Sequence, residues 1–266
     1  MNGTNPGTAV TQDTTNPHAT ADGYPRVALI TGAAHRVGAS IARELHRAGL
    51  NVLIHYRHSG DKASALAGEL NAERPDSART LAADLLNLAE IEALAENAVA
   101  AWDRLDFLVN NASTFYPTPV GEIQAADWDD LVGSNLRAPT FLTQACAPAL
   151  RAGGGAVVNI VDIHALRPLK RYPVYSAAKA GLWALTQAYA RELGPEVRVN
   201  GVAPGAVLAP EAEANTGMHE AMVERTALKR GGTPEDIART VHFLLLDAPY
   251  ITGHIIPVDG GRSASQ

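Results

Sequence analysis

From Arg26 onward, short aliphatic and β-branched runs alternate with longer stretches of helical periodicity, and few folds accommodate that order. The runs are Val27–Thr31, Asn51–Tyr56, Ala78–Ala82, Asp106–Val109, Ala156–Val161, Val197–Val202 and His254–Val258. The first six are almost continuously apolar, as strands covered on both faces must be. Helical stretches fill the gaps, at about Val37–Ala48, Asp61–Glu73, Leu88–Trp102, Asp127–Leu150, Val174–Leu193 and Pro234–Leu246. This order predicts an α/β protein, a single doubly wound domain with a seven-stranded parallel sheet flanked by helices. At 266 residues, 46% of them hydrophobic, the chain can bury one core of that size. Asp127 and Thr233 read as N-caps, the second with Pro234 at the first helical position, and Gly49 and Gly194 as helix stops.

Residues 1–24 have almost no large apolar side chain, too little to offset the entropy of ordering. They read as a disordered tail ahead of a domain over 25–266. The tail has no basic start and no apolar centre, so it is not a secretory signal. No apolar run approaches the ~18–20 residues needed to span a bilayer. Net charge is −6, the two signs are interspersed, and no Lys/Arg stripe appears. Nucleic acid and anionic membrane are therefore not expected partners. A single cysteine, Cys146, rules out a disulfide framework within the chain and fits a reducing cytoplasm. It lies in an Ala/Leu-rich segment and reads as a small buried residue. No metal is expected.

The first strand runs into Thr31-Gly-Ala-Ala-His-Arg-Val-Gly38. Gly32 permits a tight turn and Gly38 lets the following helix, starting near Arg36 and Val37, pack close to the strand. The amides of that helix start then face an anion, helped by the helix dipole. The second strand ends in His55-Tyr56-Arg57-His58-Ser59, and no acidic residue occurs between Asn51 and Gly60. An NAD enzyme usually carries one here for the ribose 2′-hydroxyl. Arg57, with His58 and Ser59, would instead hold a 2′-phosphate, which favours NADPH; a solvated polar loop is the plain alternative. Asp84-Leu85 follows the third strand, where Asp84 suits either the adenine amino group or a helix cap. Asn110-Asn-Ala112 ends the fourth strand on the ligand-binding edge, its amide bracing backbone or touching ribose.

Asn159-Ile-Val-Asp162 closes the fifth run, and thirteen residues later comes Tyr175-Ser-Ala-Ala-Lys179. A Tyr and a Lys four apart share one helix face. The same helix carries an apolar stripe, Ala178, Leu182, Leu185, Tyr189 and Leu193. Its small face, Ala177, Ala180, Gly181 and Ala184, suits a partner subunit or a neighbouring helix of the same chain. An ionised carboxylate at 162 only accepts hydrogen bonds, which suits a substrate rich in N–H groups better than a ketone.

Taken in order, Thr31–Gly38, Asn110–Ala112, Asn135, Tyr175 with Lys179, Pro204-Gly205 and Asp259-Gly-Gly261 resemble the short-chain dehydrogenase/reductase family over residues 25–263. The resemblance implies a Rossmann-like domain, with Tyr175 as proton donor, Lys179 tuning it and binding ribose, and Asn135 supporting a proton relay. Within that family, Arg36, the 55–59 stretch, Asn111-Ala-Ser113-Thr-Phe115-Tyr116-Pro117 and Asp162 in place of serine are similar to the pteridine reductases. That likeness implies NADPH-dependent reduction of dihydropterins, with dihydrofolate or oxidised pterins as further substrates, usually by a homotetramer. A dihydromonapterin-type reductase, a carbonyl reductase and a non-catalytic NADP-binding protein are the alternatives. It further implies that Phe115 stacks a flat heterocycle against the nicotinamide while Ser113 and Arg36 donate to the pterin or the phosphates. A Phe in such a loop can equally be an anchor. Arg262 resembles a position that reaches a neighbouring subunit's pocket, or is a solubilising tail residue. The ammonium of Lys179 and the positive charge of the nicotinamide are both expected to favour phenolate at Tyr175. Residues 207–230 read as the substrate loop.

Overall fold

β1 (Val27–Ile30) sends Ala28 and Ile30 to one face of the sheet and Val27 and Leu29 to the other, and all four are fully buried. That two-faced burial repeats in β2 (Asn51–Tyr56), β4 (Phe107–Asn110) and β5 (Ala156–Ile160). It is the physical reason their sequences are apolar without alternation. In this computed structural model, which describes residues 18–20, 23–207 and 218–264, seven parallel strands lie in the order β3-β2-β1-β4-β5-β6-β7. The remaining strands are β3 (Ala78–Ala82), β6 (Arg198–Pro204) and β7 (Ile255–Val258). Strand order reverses between β1 and β4, the point where the carboxyl ends of an open α/β sheet leave a crevice.

One face is covered by α1 (Arg36–Arg47), α2 (Gly60–Glu73) and α8 (Pro234–His242). The other is covered by α3 (Leu88–Ala100), α5 (Ala138–Ala152) and α6 (Pro173–Glu192). α4 (Ala125–Val132) runs into α5 through a π-helical turn, Gly133–Arg137, so the stretch expected as one helix is one helix with a widened turn. α7 (Met218–Glu224) lies inside the segment expected to be a loop. Thr233 caps α8 as expected, its hydroxyl accepting from the Asp236 amide. Asp127 does not cap: the N-cap of α4 is Gln124, whose amide donates to Asp127 Oδ2 at 2.9 Å from the N3 position. β3 departs from the two-faced expectation, because it is an edge strand and Arg79 lies over the Trp102 ring at 4.5 Å.

On α6 the buried face is Tyr175, Ala178, Lys179, Leu182, Thr186 and Ala190, so Leu185 and Tyr189 lie at the margin of the expected stripe. Of the small face, Gly181 meets the same chain: a Cβ there would stand 2.7 Å from Leu136 Cδ2. Cys146 is fully buried, and burial pushes its thiol up to about 12. Residues 1–17, 21 and 22 of the expected tail lie outside the described residues. The part that is described forms a turn, with the Thr20 amide donating to the Tyr24 carbonyl at 2.9 Å. Residues 208–217 of the expected substrate loop also lie outside the description. Among the described residues, no helix is long and apolar enough to cross a membrane.

Candidate active site

The chain leaves β1 through Gly32, whose φ of +61° favours glycine. Gly38 answers a steric demand: a Cβ there would lie 2.4 Å from the Gly32 carbonyl oxygen and 2.7 Å from Asn111 Nδ2. The first turn of α1 has neither an acidic residue nor a capping side chain, so the positive end of its dipole opens onto the crevice. Arg36 takes up φ +54° at this turn and lines the crevice with Val37 and Gly38.

His55 was expected at the cofactor, yet both its ring nitrogens are committed to backbone. Nδ1 accepts from the Gly32 amide at 3.1 Å and Nε2 donates to the Ala83 carbonyl at 3.1 Å. Only the neutral ring with its proton on Nε2 satisfies both. Burial accordingly lowers its pKa from 6.5 to about 4. The sign follows: below pH 6.5 the unfolded chain takes up a proton that the folded chain refuses until about pH 4. Stability carried by His55 is therefore present above pH 6.5 and lost as pH falls toward 4, on the order of 3 kcal/mol at completion. Chemical denaturation across this range should show the loss in the wild type, and His55→Asn should flatten it; identical acid limbs would show that other groups set the slope.

The crevice measures about 390 Å³ and is bordered by the glycine turn, His55 to Ser59, Asp84, Leu85, Ala112 and Ser113. Several residues expected to bind cofactor lie behind the crevice rather than on it. Thr31 is buried, its hydroxyl accepting from the Asn111 and Ala112 amides at 2.9 and 3.0 Å. Asn110 is turned into the core, donating to Thr143 Oγ1 and to Asn159 Oδ1. Its neighbour Asn111, part of the 111–117 stretch but assigned no role from the sequence, borders the crevice and donates to the Thr31 carbonyl. The available signal was position: β4 ends at Asn110, so Asn111 is the first residue past the strand, at the carboxyl edge where ligands bind. Pro204 ends β6, and Gly205 packs on Asp259, which a Cβ would approach to 2.7 Å; neither borders the crevice. Arg57 pairs with Asp84 at 2.9 Å and both remain partly exposed. Asp84 is not a helix cap, because Asn87 caps α3.

Past the crevice, the end of β5 and the first turns of α6 meet. Asp162 caps a short 3₁₀ turn, Ile163–Ala165, where Oδ1 accepts from the His164 amide at 2.8 Å. That leaves Oδ2 to accept from the Tyr175 hydroxyl at 2.8 Å. Lys179, one turn along α6, is buried; its Nζ donates to the Ile160 carbonyl at 2.8 Å and lies 5.7 Å from the Tyr175 ring centroid. Burial lowers the Lys179 pKa to about 8. Burial first, then the Asp162 charge, hold the Tyr175 pKa well above 10, which opposes the drift toward phenolate expected from the charges of Lys179 and the nicotinamide. A phenol that donates to a carboxylate is stabilised in its protonated form.

Asn135 sits in the π-helical turn, fully buried, with Nδ2 donating to the Leu131 and Thr114 carbonyls at 3.0 and 2.9 Å. Its Oδ1 accepts from Ser113 Oγ at 2.6 Å, and the Ser113 hydroxyl also meets the Tyr175 oxygen. With the Ser113 proton on Asn135 and the Tyr175 proton on Asp162, the two hydroxyls stand side by side, each bonded to its own acceptor. Phe115 is half-buried, stacked on Tyr172 at 4.5 Å and edge-on to Tyr175 at 4.8 Å. Tyr172, another residue missed from the sequence, stands one helical turn before Tyr175. Arg262 lies in the turn after β7, where the charges of Arg225 and Arg167 reach it.

A crevice floored by a glycine turn and leading to a buried Tyr–Asp–Lys group is the arrangement of an oxidoreductase of the doubly wound α/β class. A family model described as enoyl-(acyl carrier protein) reductase matches residues 32–263. Pteridine reductase 1 of Leishmania tarentolae is 38% identical over 280 residues, covering 90% of this chain and 97% of that protein. A 3-oxoacyl-[acyl-carrier-protein] reductase of Staphylococcus aureus is 36% identical over 238 residues, covering 88% of this chain and 96% of the relative. An uncharacterized oxidoreductase of Mycobacterium tuberculosis is 36% identical over 242 residues, with 89% and 91% covered. The chain belongs to the short-chain dehydrogenase/reductase family and is an oxidoreductase.

Proposed function

We propose that this protein is an NADPH-dependent pteridine reductase. It reduces dihydropterins to their tetrahydro forms, with dihydrofolate and oxidised pterins as further candidate substrates. The observation that carries this reading is the 2.8 Å bond from the Tyr175 hydroxyl to Asp162 Oδ2. A serine in that place can donate to a carbonyl oxygen, whereas a carboxylate would repel the alkoxide forming on a ketone. Opposite a pterin the same carboxylate accepts from ring or amino N–H groups.

Three features support a bound dinucleotide: the uncapped start of α1, the close approach permitted at Gly32 and Gly38, and a second strand ending in Arg57, His58 and Ser59 without an acid. Arg57 would leave or share Asp84 to meet a 2′-phosphate. Arg36, Val37, Ala112 and Leu85 complete the walls, and Lys179 stands in reach of the ribose side. When bound, the nicotinamide supplies a hydride to an imine carbon of the pterin. Tyr175 delivers its phenolic proton to the adjacent ring nitrogen, while Ser113, donating to Asn135, stands beside that phenol. Phe115, held by Tyr172, offers its free side to a flat ring. A tetrameric, cytoplasmic enzyme is part of this reading, with exposed Trp128 and Phe141 on α4 and α5 available to a partner subunit.

The 36% identity to a 3-oxoacyl-[acyl-carrier-protein] reductase favours a second reading, reduction of a carbonyl thioester on the same scaffold. A single panel separates the two. Dihydrobiopterin, dihydromonapterin, dihydrofolate and an acetoacetyl thioester are each offered with NADPH and with NADH. Pterin turnover with NADPH is expected to lead. Thioester turnover above pterin turnover, or inactivity on every pterin in protein that binds NADPH, overturns the proposal.

A further inference from the structure

We propose that His18, His242 and Asp247 form a binding site for a first-row divalent cation such as Zn²⁺, fastening the segment before β1 to the end of α8. One ligand atom from each of the three lies within 4.8 Å of the others. His242 Nε2 and Asp247 Oδ2 are 3.5 Å apart. Two ligands of a tetrahedral Zn²⁺ at about 2.0–2.1 Å from the metal stand roughly 3.4 Å from each other, so this pair is already at bonding separation. The His18 ring meets His242 edge-on at a centroid distance of 5.7 Å, and a small rotation of the half-buried His18 ring or the exposed Asp247 closes the remainder. Two imidazoles and one carboxylate leave a fourth position for water.

The backbone explains why the two helix-borne ligands face one way. α8 ends at His242 and passes into a second π-helical turn, Phe243–Asp247. Its wider pitch sets residue i+5 above residue i, which brings Asp247 over His242. Arg198 locks that turn by donating to the Leu244, Leu245 and Ala248 carbonyls at 2.6, 2.8 and 3.1 Å. The other His242 nitrogen, Nδ1, is buried without a hydrogen bond, and Glu44 Oε1 of α1 is 3.6 Å from it. A carboxylate at the far nitrogen of a ligating imidazole is the usual second partner of a metal-bound histidine, fixing its tautomer and raising its basicity. Glu44 is itself held by Arg47.

This cluster sits away from the chemistry. α1 and α8 run back from the carboxyl edge of the sheet, so Glu44 and His242 lie at the opposite edge from Gly32 and Tyr175. The chain enters β1 at that same edge, which is where His18 arrives.

The test uses the full chain, free of any affinity tag and stripped with a chelator, titrated with Zn²⁺ by calorimetry and with Co²⁺ by visible absorption. The expected result is one saturable site per chain, with a Co²⁺ spectrum of tetrahedral intensity. His18→Ala and Asp247→Asn should each weaken it at least about tenfold, and Glu44→Gln by a comparable or smaller factor. His164→Ala, a histidine outside the cluster, should leave it unchanged. His18 lies before the first strand and Asp247 is exposed, so neither change endangers folding. Absence of saturable binding, or equal affinity in wild type, His18→Ala and Asp247→Asn, overturns the proposal.

Discussion

Asp162→Ser is expected to lower kcat/KM for a dihydropterin by at least about a hundredfold while leaving the NADPH dissociation constant within about twofold. Serine is a sound replacement at the local level, because it can still cap the 3₁₀ turn through the His164 amide that Asp162 now holds. What it cannot do is present an anion to N–H groups of the substrate. The change has a second, separable consequence. Asp162 raises the pKa of Tyr175 both by its charge and by accepting its hydrogen bond, and it also supports the charged form of Lys179. With serine in its place the phenol ionises more readily, so the alkaline limb of the rate profile should move to lower pH. Turnover of a ketone or thioester should hold steady or rise. Equal losses for pterin and for cofactor binding would make Asp162 a structural residue and remove the ground for choosing pterins over carbonyls.

Much of the frame was legible because burial on both faces forces continuous apolar runs, and all seven appear as strands within a residue or two of their expected limits. What escaped was set by contacts that sequence spacing does not encode. The π-helical turn at Gly133–Arg137 leaves hydrophobic periodicity nearly unchanged, yet it is what lets Asn135 bond the Leu131 carbonyl and face Ser113. Of three residues expected at the cofactor, His55 borders the crevice and Thr31 and Asn110 do not, and all three turn their polar atoms to backbone or core, a choice fixed by strand register and by neighbours remote in sequence. The bond between Asp162 and Tyr175 spans thirteen residues through a turn whose geometry no local pattern specifies. His18 and His242 are more than two hundred residues apart and meet only because the start and end of the chain converge on one edge of the sheet.

Tyr175→Phe is expected to cost about 10²–10⁴-fold in kcat, the usual worth of a positioned acid, with cofactor affinity and melting temperature near those of the wild type. The substitution removes one oxygen and keeps the ring that packs edge-on against Phe115 at 4.8 Å. Asp162, which loses its partner, is only half-buried and can take a water in exchange. The size of the effect bears on a real tension in the site. A phenol held well above pH 10 is a weak acid at neutral pH, and giving up its proton leaves a phenolate beside a carboxylate. Two things offset this. In the proposed reaction the nitrogen beside the carbon that takes hydride would be a strong base at that moment, and Lys179 Nζ, 5.7 Å from the ring, offers positive charge to the new anion. If the proton instead reaches the substrate from solvent by way of Asp162, Tyr175→Phe will retain more than about a tenth of the wild-type rate. A solvent isotope effect on kcat that survives the substitution unchanged would say the same. Loss of turnover together with loss of that isotope effect assigns the proton to Tyr175.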